Sequence, residues 1–238
     1  MNLACVWEHN GSDTLLYARD YPGVYARGRT LEEAAGKLPA DMQSYHRWCS
    51  LPVPEKLEVD VVQNLSSELN IRDADSDAFL EGEGKALSPE EYLEQKALVL
   101  RSAEDFLRLY QSIPDKQFPL GPERKTFYGP VPNTAESMYL HTKNVNAYYF
   151  GEIGVETDNE GDILECRLRG FKRMESIPDF QMSAVVEGSY GELWSLRKVL
   201  RRFLWHDRIH AKALYRRAAA VFGSEAIPDV FCFYTKEK

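Results

Sequence analysis

His141, His206 and His210 are the residues whose type and spacing point most directly to chemistry. His206 and His210 stand four residues apart in Trp205-His206-Asp207-Arg208-Ile209-His210. On a helix that spacing places them about 40° apart on one face, one turn above the other. Two neutral imidazoles stacked in this way can grip one metal ion. His141 sits in the apolar and aromatic run Met138-Tyr139-Leu140-His141, where an unpaired imidazole would be costly. A single buried histidine ordinarily satisfies itself with a local hydrogen bond. A histidine pair on a facing helix turns the balance toward ligation. The expected ligand set is therefore His141, His206 and His210 around a divalent ion, zinc foremost, with nickel, iron or manganese as alternatives. Three protein nitrogens leave a coordination position for water or substrate, as in catalytic zinc sites. A metal there would lower the pKa of water or of a thiol and so produce a nucleophile at neutral pH.

The remaining polar residues of these segments read differently. His9 and His46 lack metal-ligand spacing and are expected to be surface or hydrogen-bonding residues. His206-Asp207-Arg208-Ile209-His210 resembles the zincin pattern H-E-x-x-H, but aspartate is one methylene short of the general base used there. Asp207 lies about 100° round the helix from His206 and is expected to be a partly exposed helix residue. Arg197, Arg201, Arg208 and Lys212 fall roughly 160° to 240° from His206, which predicts a solvated outer face. Arg202 and Arg217 lie nearer the histidine face, where either can anchor a substrate carboxylate or pack a helix end. Tyr148, seven residues beyond His141, shares its face and reads as a core aromatic or a pocket wall.

Four helices are expected to carry these residues. Ser88-Pro89-Glu90-Glu91 combines an N-cap, a proline at the first helical position and a capping-box glutamate, opening a helix to about Tyr110. Asn133 with Glu136 predicts a second, ending near Gly151, and a weaker helical stretch spans about Asp162 to Met174. Ser189 with Glu192 predicts the last and longest, stopping at Gly223. The set suggests a bundle.

The N-terminal part has another character. Leu3 to His9 and Thr14 to Arg19 flank the turn residues Asn10-Gly11-Ser12-Asp13 and predict a β-hairpin. Tyr21-Pro22-Gly23 leads to a strand at Val24-Tyr25-Ala26, Thr30 with Glu33 caps a helix through roughly Trp48, and a fourth strand is expected at Leu57 to Val62. The stretch from Asn64 to Ser88 is polar and acidic and reads as a linker. The expected organisation is thus α+β: a β-β-β-α-β domain at 1–63, an acidic linker at 64–88 and a metal-binding four-helix bundle at 89–238.

Composition narrows the partners. Over 238 residues the net charge is -8, which repels nucleic acid and anionic membranes on average. Neither partner is expected. Cys5, Cys49, Cys166 and Cys232 form no C-x-x-C pair and read as scattered reduced thiols. The first residues lack the basic and apolar regions of a signal peptide, and no run has the length of a membrane span, so a cytoplasmic location is expected.

The segment Asn133-Thr134-Ala135-Glu136-Ser137-Met138-Tyr139-Leu140-His141, together with Trp205-His206-Asp207-Arg208-Ile209-His210, resembles the DinB/YfiT-like metalloenzymes over about residues 89 to 223. In that family a four-helix bundle holds a metal with one histidine from the second helix and two, spaced four apart, from the last. His141, His206 and His210 match those positions. The resemblance implies a metal-dependent enzyme, a thiol-linked transferase or a hydrolase, with a low-molecular-weight thiol or other small molecule as partner. The alternative is a non-enzymatic binding or stress-response protein in which the metal is structural. Tyr21-Pro22-Gly23-Val24-Tyr25-Ala26-Arg27-Gly28-Arg29-Thr30-Leu31-Glu32-Glu33-Ala34 looks like the signature of the HicB-like fold, over about residues 1 to 63. HicB antitoxins join this domain to a DNA-binding segment, which is not visible here. The resemblance implies an accessory module or one that recruits a ligand or a protein partner.

Overall fold

The computed structural model describes residues 1–73, 75–126 and 129–234. They form an α+β protein of two compact units, Met1–Gly84 joined by the segment from Phe231 on, and Lys85–Val230.

The first unit is built on a hairpin. β1 (Asn2–His9) pairs antiparallel with β2 (Thr14–Ala18), and Asn10 closes the turn by accepting from the amides of Ser12 and Asp13 while Gly11 takes φ +86°. β3 (Tyr25–Gly28) continues antiparallel to β2. α1 (Leu31–Trp48) begins where Thr30 accepts from the Glu33 amide and the Glu33 carboxylate accepts from the Arg29 amide. Its apolar stripe of Ala34, Leu38, Met42, Tyr45 and Trp48 is buried. β4 (Glu58–Ser66) then pairs parallel to β1, giving the sheet order β3-β2-β1-β4. The strands and helix follow the order expected from the sequence.

The acidic stretch does not behave as a linker. The unit boundary falls after Gly84 rather than at residue 63, because the acidic residues alternate with apolar ones that reach the core. Ile71, Ala78 and Leu80 are buried. The Ser76 hydroxyl donates to the buried Glu8 carboxylate at 2.7 Å and the Tyr17 hydroxyl donates to the same carboxylate at 2.9 Å, tying the segment to the first two strands. Glu83 turns its carboxylate back onto the Leu80 amide. At the other end the chain returns to this unit, where the Ser44 hydroxyl donates to the Phe231 carbonyl and Trp48 packs its ring on that of Phe231. The helical unit accordingly ends at Val230, short of the chain end expected for it.

The second unit contains four helices. α2 (Pro89–Ser112) opens with the expected Ser88/Glu91 capping box. After it comes a small hairpin of β5 (Lys125–Thr126) and β6 (Gly129–Pro130). α3 (Ala135–Gly151) is capped by Thr134 with Ser137, one residue past the expected Asn133 and Glu136. Glu136 is engaged instead by the Tyr110 hydroxyl. α4 (Ile163–Glu175) has an Asp162/Glu165 capping box.

The last helix starts later than its sequence suggests. Gly188 and Gly191 bracket a tight turn, with Gly191 at φ +74°, so the Ser189 region forms a hairpin of β7 (Val186–Glu187) and β8 (Leu193–Trp194). The Ser195 hydroxyl then accepts from the Lys198 amide and opens α5 (Leu196–Phe222), which stops at Gly223 as expected. α5 packs on α2 and α3, and α4 also packs on α2 and α3, so α4 and α5 stand diagonally across the group. Among the described residues no helix is long and apolar enough to cross a membrane, and the four cysteines are free.

The anchoring of the acidic stretch by its buried residues Ile71, Ser76, Ala78, Leu80 and Glu83 has a testable consequence. Limited proteolysis of the native protein is expected to spare this stretch, and Ile71→Ala, which empties a fully buried site, is expected to cost about 2–5 kcal/mol and to expose it. A first cut within the stretch in the unsubstituted protein would contradict this packing.

Candidate metal centre

α5 places His206 and His210 one turn apart on the side that faces α3, and α3 runs past them so that His141 completes a cluster. Each of the three imidazoles offers a nitrogen within 4.8 Å of the others. Ring centroids are 5.1 Å apart for His141 and His206, 4.6 Å for His141 and His210, and 4.3 Å for His206 and His210. The Nε2 atoms of His141 and His210 lie 3.2 Å apart. Two nitrogens on a tetrahedral ion with bonds of about 2.0–2.1 Å are separated by a similar distance, on the order of 3.3 Å. All three sequence-predicted ligands therefore come together.

The environment of each ring differs. His206 is buried and its Nδ1 has no hydrogen-bond partner among the described residues, a costly state for a polar atom in the interior. Burial holds its pKa well below the usual histidine value, helped by the nearby His210, His141, Arg202 and Arg167 charges. His141 faces solvent, yet partial desolvation lowers its pKa as well. Two of the three rings are thus biased to the neutral form that binds metals. His210 is half-buried, and its Nδ1 lies 3.2 Å from the Met138 sulfur, which turns Nε2 toward His141. The residues fit a divalent ion. Among the described residues no cysteine, carboxylate or further histidine joins the cluster.

The surroundings correct several expectations. Asp207 is fully buried rather than partly exposed. Its carboxylate accepts from Nη1 and Nη2 of Arg167, each at 3.3 Å, and from the Ser102 hydroxyl at 2.5 Å. Burial pushes its pKa up, opposed by Arg167 and by the hydrogen bonds. Asp207 sits in the stripe Leu200, Phe203, Asp207, Ala211, Leu214, Ala218, whose 3–4 spacing is that of a core face. Arg167 likewise interrupts the buried stripe Ile163, Cys166, Gly170, Phe171, Met174 of α4. A charge inside an apolar stripe on each of two helices is the signal that the sequence offers for this pair.

The basic residues opposite His206 do not form a solvated face either. Arg208 is fully buried and Arg201 is 5% exposed. That side of α5 packs against the rest of the unit, as Arg197 shows by pairing with Glu91 in the first turn of α2 at 2.9 Å and donating to the Lys85 and Ala86 carbonyls. Nearer the histidines, the Arg202 guanidinium lies over the rings of Trp205, Tyr149 and Trp194. Tyr148 is half-buried, 3.4 Å from Glu192 through its hydroxyl. His9 contacts Asn64 through Nε2 at 3.0 Å and His46 contacts the Pro52 carbonyl through Nδ1 at 2.6 Å, so both act as ordinary hydrogen-bonding residues.

The buried pair beside His206 is expected to matter for folding. Asp207→Ala strands the Arg167 charge and should lower stability by about 3–5 kcal/mol in chemical denaturation, and the double substitution Asp207→Leu with Arg167→Met should restore much of the loss. Equal loss in both proteins would show that the pair itself is not the cause. Compared with known proteins, the chain matches no family model, no curated protein and no solved structure.

Proposed function

We propose that His141, His206 and His210 hold one divalent metal ion, zinc foremost, at the centre of a DinB/YfiT-like enzyme that acts on a small molecule as a thiol-linked transferase or a hydrolase. The observation that carries this reading is the donor set: three clustered imidazoles, one of them solvent-facing, and no fourth protein ligand among the described residues. A set of that kind suits a catalytic site better than a closed structural one. A bound ion would supply Lewis acidity there, favouring thiolate or hydroxide at neutral pH.

The chain's own contribution is to present neutral imidazoles and to keep them in place. Burial lowers the His206 pKa and so favours its neutral form, and Asp207, held by Arg167 and Ser102, fixes the rotation of α5 about its axis. His141 leaves one side of the cluster accessible. The β-β-β-α-β order of the first unit supports a HicB-like reading of it, as an accessory module or one that recruits a partner.

Two measurements test this. Elemental analysis of the purified protein, with any tag removed, is expected to find about one ion per chain, with loss in His141→Ala and His206→Ala while far-ultraviolet dichroism stays unchanged. Retention at the native ratio in both variants would refute the ligand set. Addition of a small thiol to the cobalt-substituted protein is expected to produce a sulfur-to-metal charge-transfer band. Its absence throughout the pH range of the folded protein removes thiol transfer and leaves hydrolysis, and a coordination shell closed to water as well removes both.

A further inference from the structure

Arg217 lies on the ligand face of α5. At 100° per residue it is about 20° from both His206 and His210, two turns beyond the latter, a rise of about 10 Å. Helical side chains lean toward the N-terminus of their helix, which from Arg217 is the direction of the histidines. Arg217 is half-buried, and among the described residues its one hydrogen bond goes from Nη1 to the Pro132 carbonyl at 3.2 Å. Among the described residues no carboxylate pairs with it. Burial and the neighbouring Arg216 and Arg124 charges disfavour its charged form, which is the signature of a cation without a counter-ion.

Parts of the segment between α2 and α3 flank the guanidinium. Gly121 lies against it, and a Cβ there would sit 3.9 Å from the Arg217 Cζ. The two limbs of the covering loop are joined by hydrogen bonds from the Leu120 amide to the Asn133 carbonyl and from the Val131 amide to the Arg124 carbonyl. An arginine held in this way, with one donor used and the rest of its fork available, is suited to a carboxylate, which it can bind through two parallel hydrogen bonds.

We infer that Arg217 is the anion-binding residue of the site: it engages a carboxylate of the substrate, whose reacting end reaches the histidine cluster within about 10 Å. The inference rests on the proposed function for the role of the histidines. It adds the substrate class, a small acid whose carboxylate is separated from the reacting group by a short spacer. The Pro132 carbonyl holds one side of the guanidinium, so Arg217 sets both affinity and the direction in which the molecule lies toward the histidines.

The test uses the full chain and two matched pairs of probes. Cobalt-substituted protein is titrated with mercaptohexanoate and with mercaptohexanol, and metal-free protein with hexanoate and with hexanol, the latter followed in every variant by the backbone amide NMR resonance of Gly121, which lies against the Arg217 side chain. The acid is expected to bind at least about ten-fold more tightly than the alcohol in each pair, as one charge-assisted contact allows. Arg217→Gln should abolish the preference without weakening alcohol binding, and Arg217→Lys should keep part of it. An acid preference that is absent, or equal in the native protein and Arg217→Gln, overturns the inference; if the cobalt spectrum still responds to both thiols, the metal reading stands without it. A cobalt spectrum blind to both thiols, with an Arg217-dependent preference for hexanoate, removes the thiol reading and retains the anion site.

Discussion

A carboxylate with no access to water needs a partner on its own side of the helix, and Asp207 finds it across the middle of the helical unit. Arg167 reaches from α4 to the diagonally placed α5 and meets the carboxylate with both terminal nitrogens, while Ser102 of α2 donates from a third direction. The face of Phe203 covers the guanidinium, with the ring centroid 3.6 Å from Cζ. The interaction is directional where apolar packing is not. Apolar packing alone leaves the exact rotation of a helix less narrowly set than a buried bidentate pair does, because turning the helix would break two charge-assisted hydrogen bonds and strand both charges. Because His206 is the residue next to Asp207, fixing the carboxylate toward α2 and α4 fixes the imidazole toward α3. The histidine cluster depends on that rotation.

The cluster has its own cost in the absence of a ligand. A buried imidazole with an unpartnered nitrogen, and two rings brought to 3.2 Å between nitrogens, are not arrangements that core packing favours. A shared cation relieves both. The Met138 sulfur beside His210 Nδ1 is a weak acceptor that leaves Nε2 of that ring turned toward His141.

Much of this was legible in the sequence, and for definite reasons. The His206/His210 pair follows from helical spacing alone, and His141 from its place in an apolar run, since both depend on local periodicity. The strand and helix order of the first unit follows from turn residues and an N-cap. Asp207 and Arg208 were misread because a single wheel cannot say how many sides of α5 are covered; a helix packed on two others has little outer face left. The Ser189 start was misread because a capping pattern says nothing of Gly188 and Gly191, which favour a turn there. The acidic stretch deceived in the same way, as its net charge concealed the few apolar residues, Ile71, Ala78 and Leu80, that decide where it packs.

The account stands or falls on three imidazoles sharing one ion, and X-ray absorption at the metal edge of the loaded protein in thiol-free buffer reads this most directly. The expected spectrum shows nitrogen scattering at about 2.0–2.1 Å with the multiple-scattering pattern of about three imidazoles, reduced to two in His141→Ala. A shell containing sulfur at about 2.3 Å, or an imidazole count unchanged by that substitution, would place the ion elsewhere in the chain and contradict the assignment.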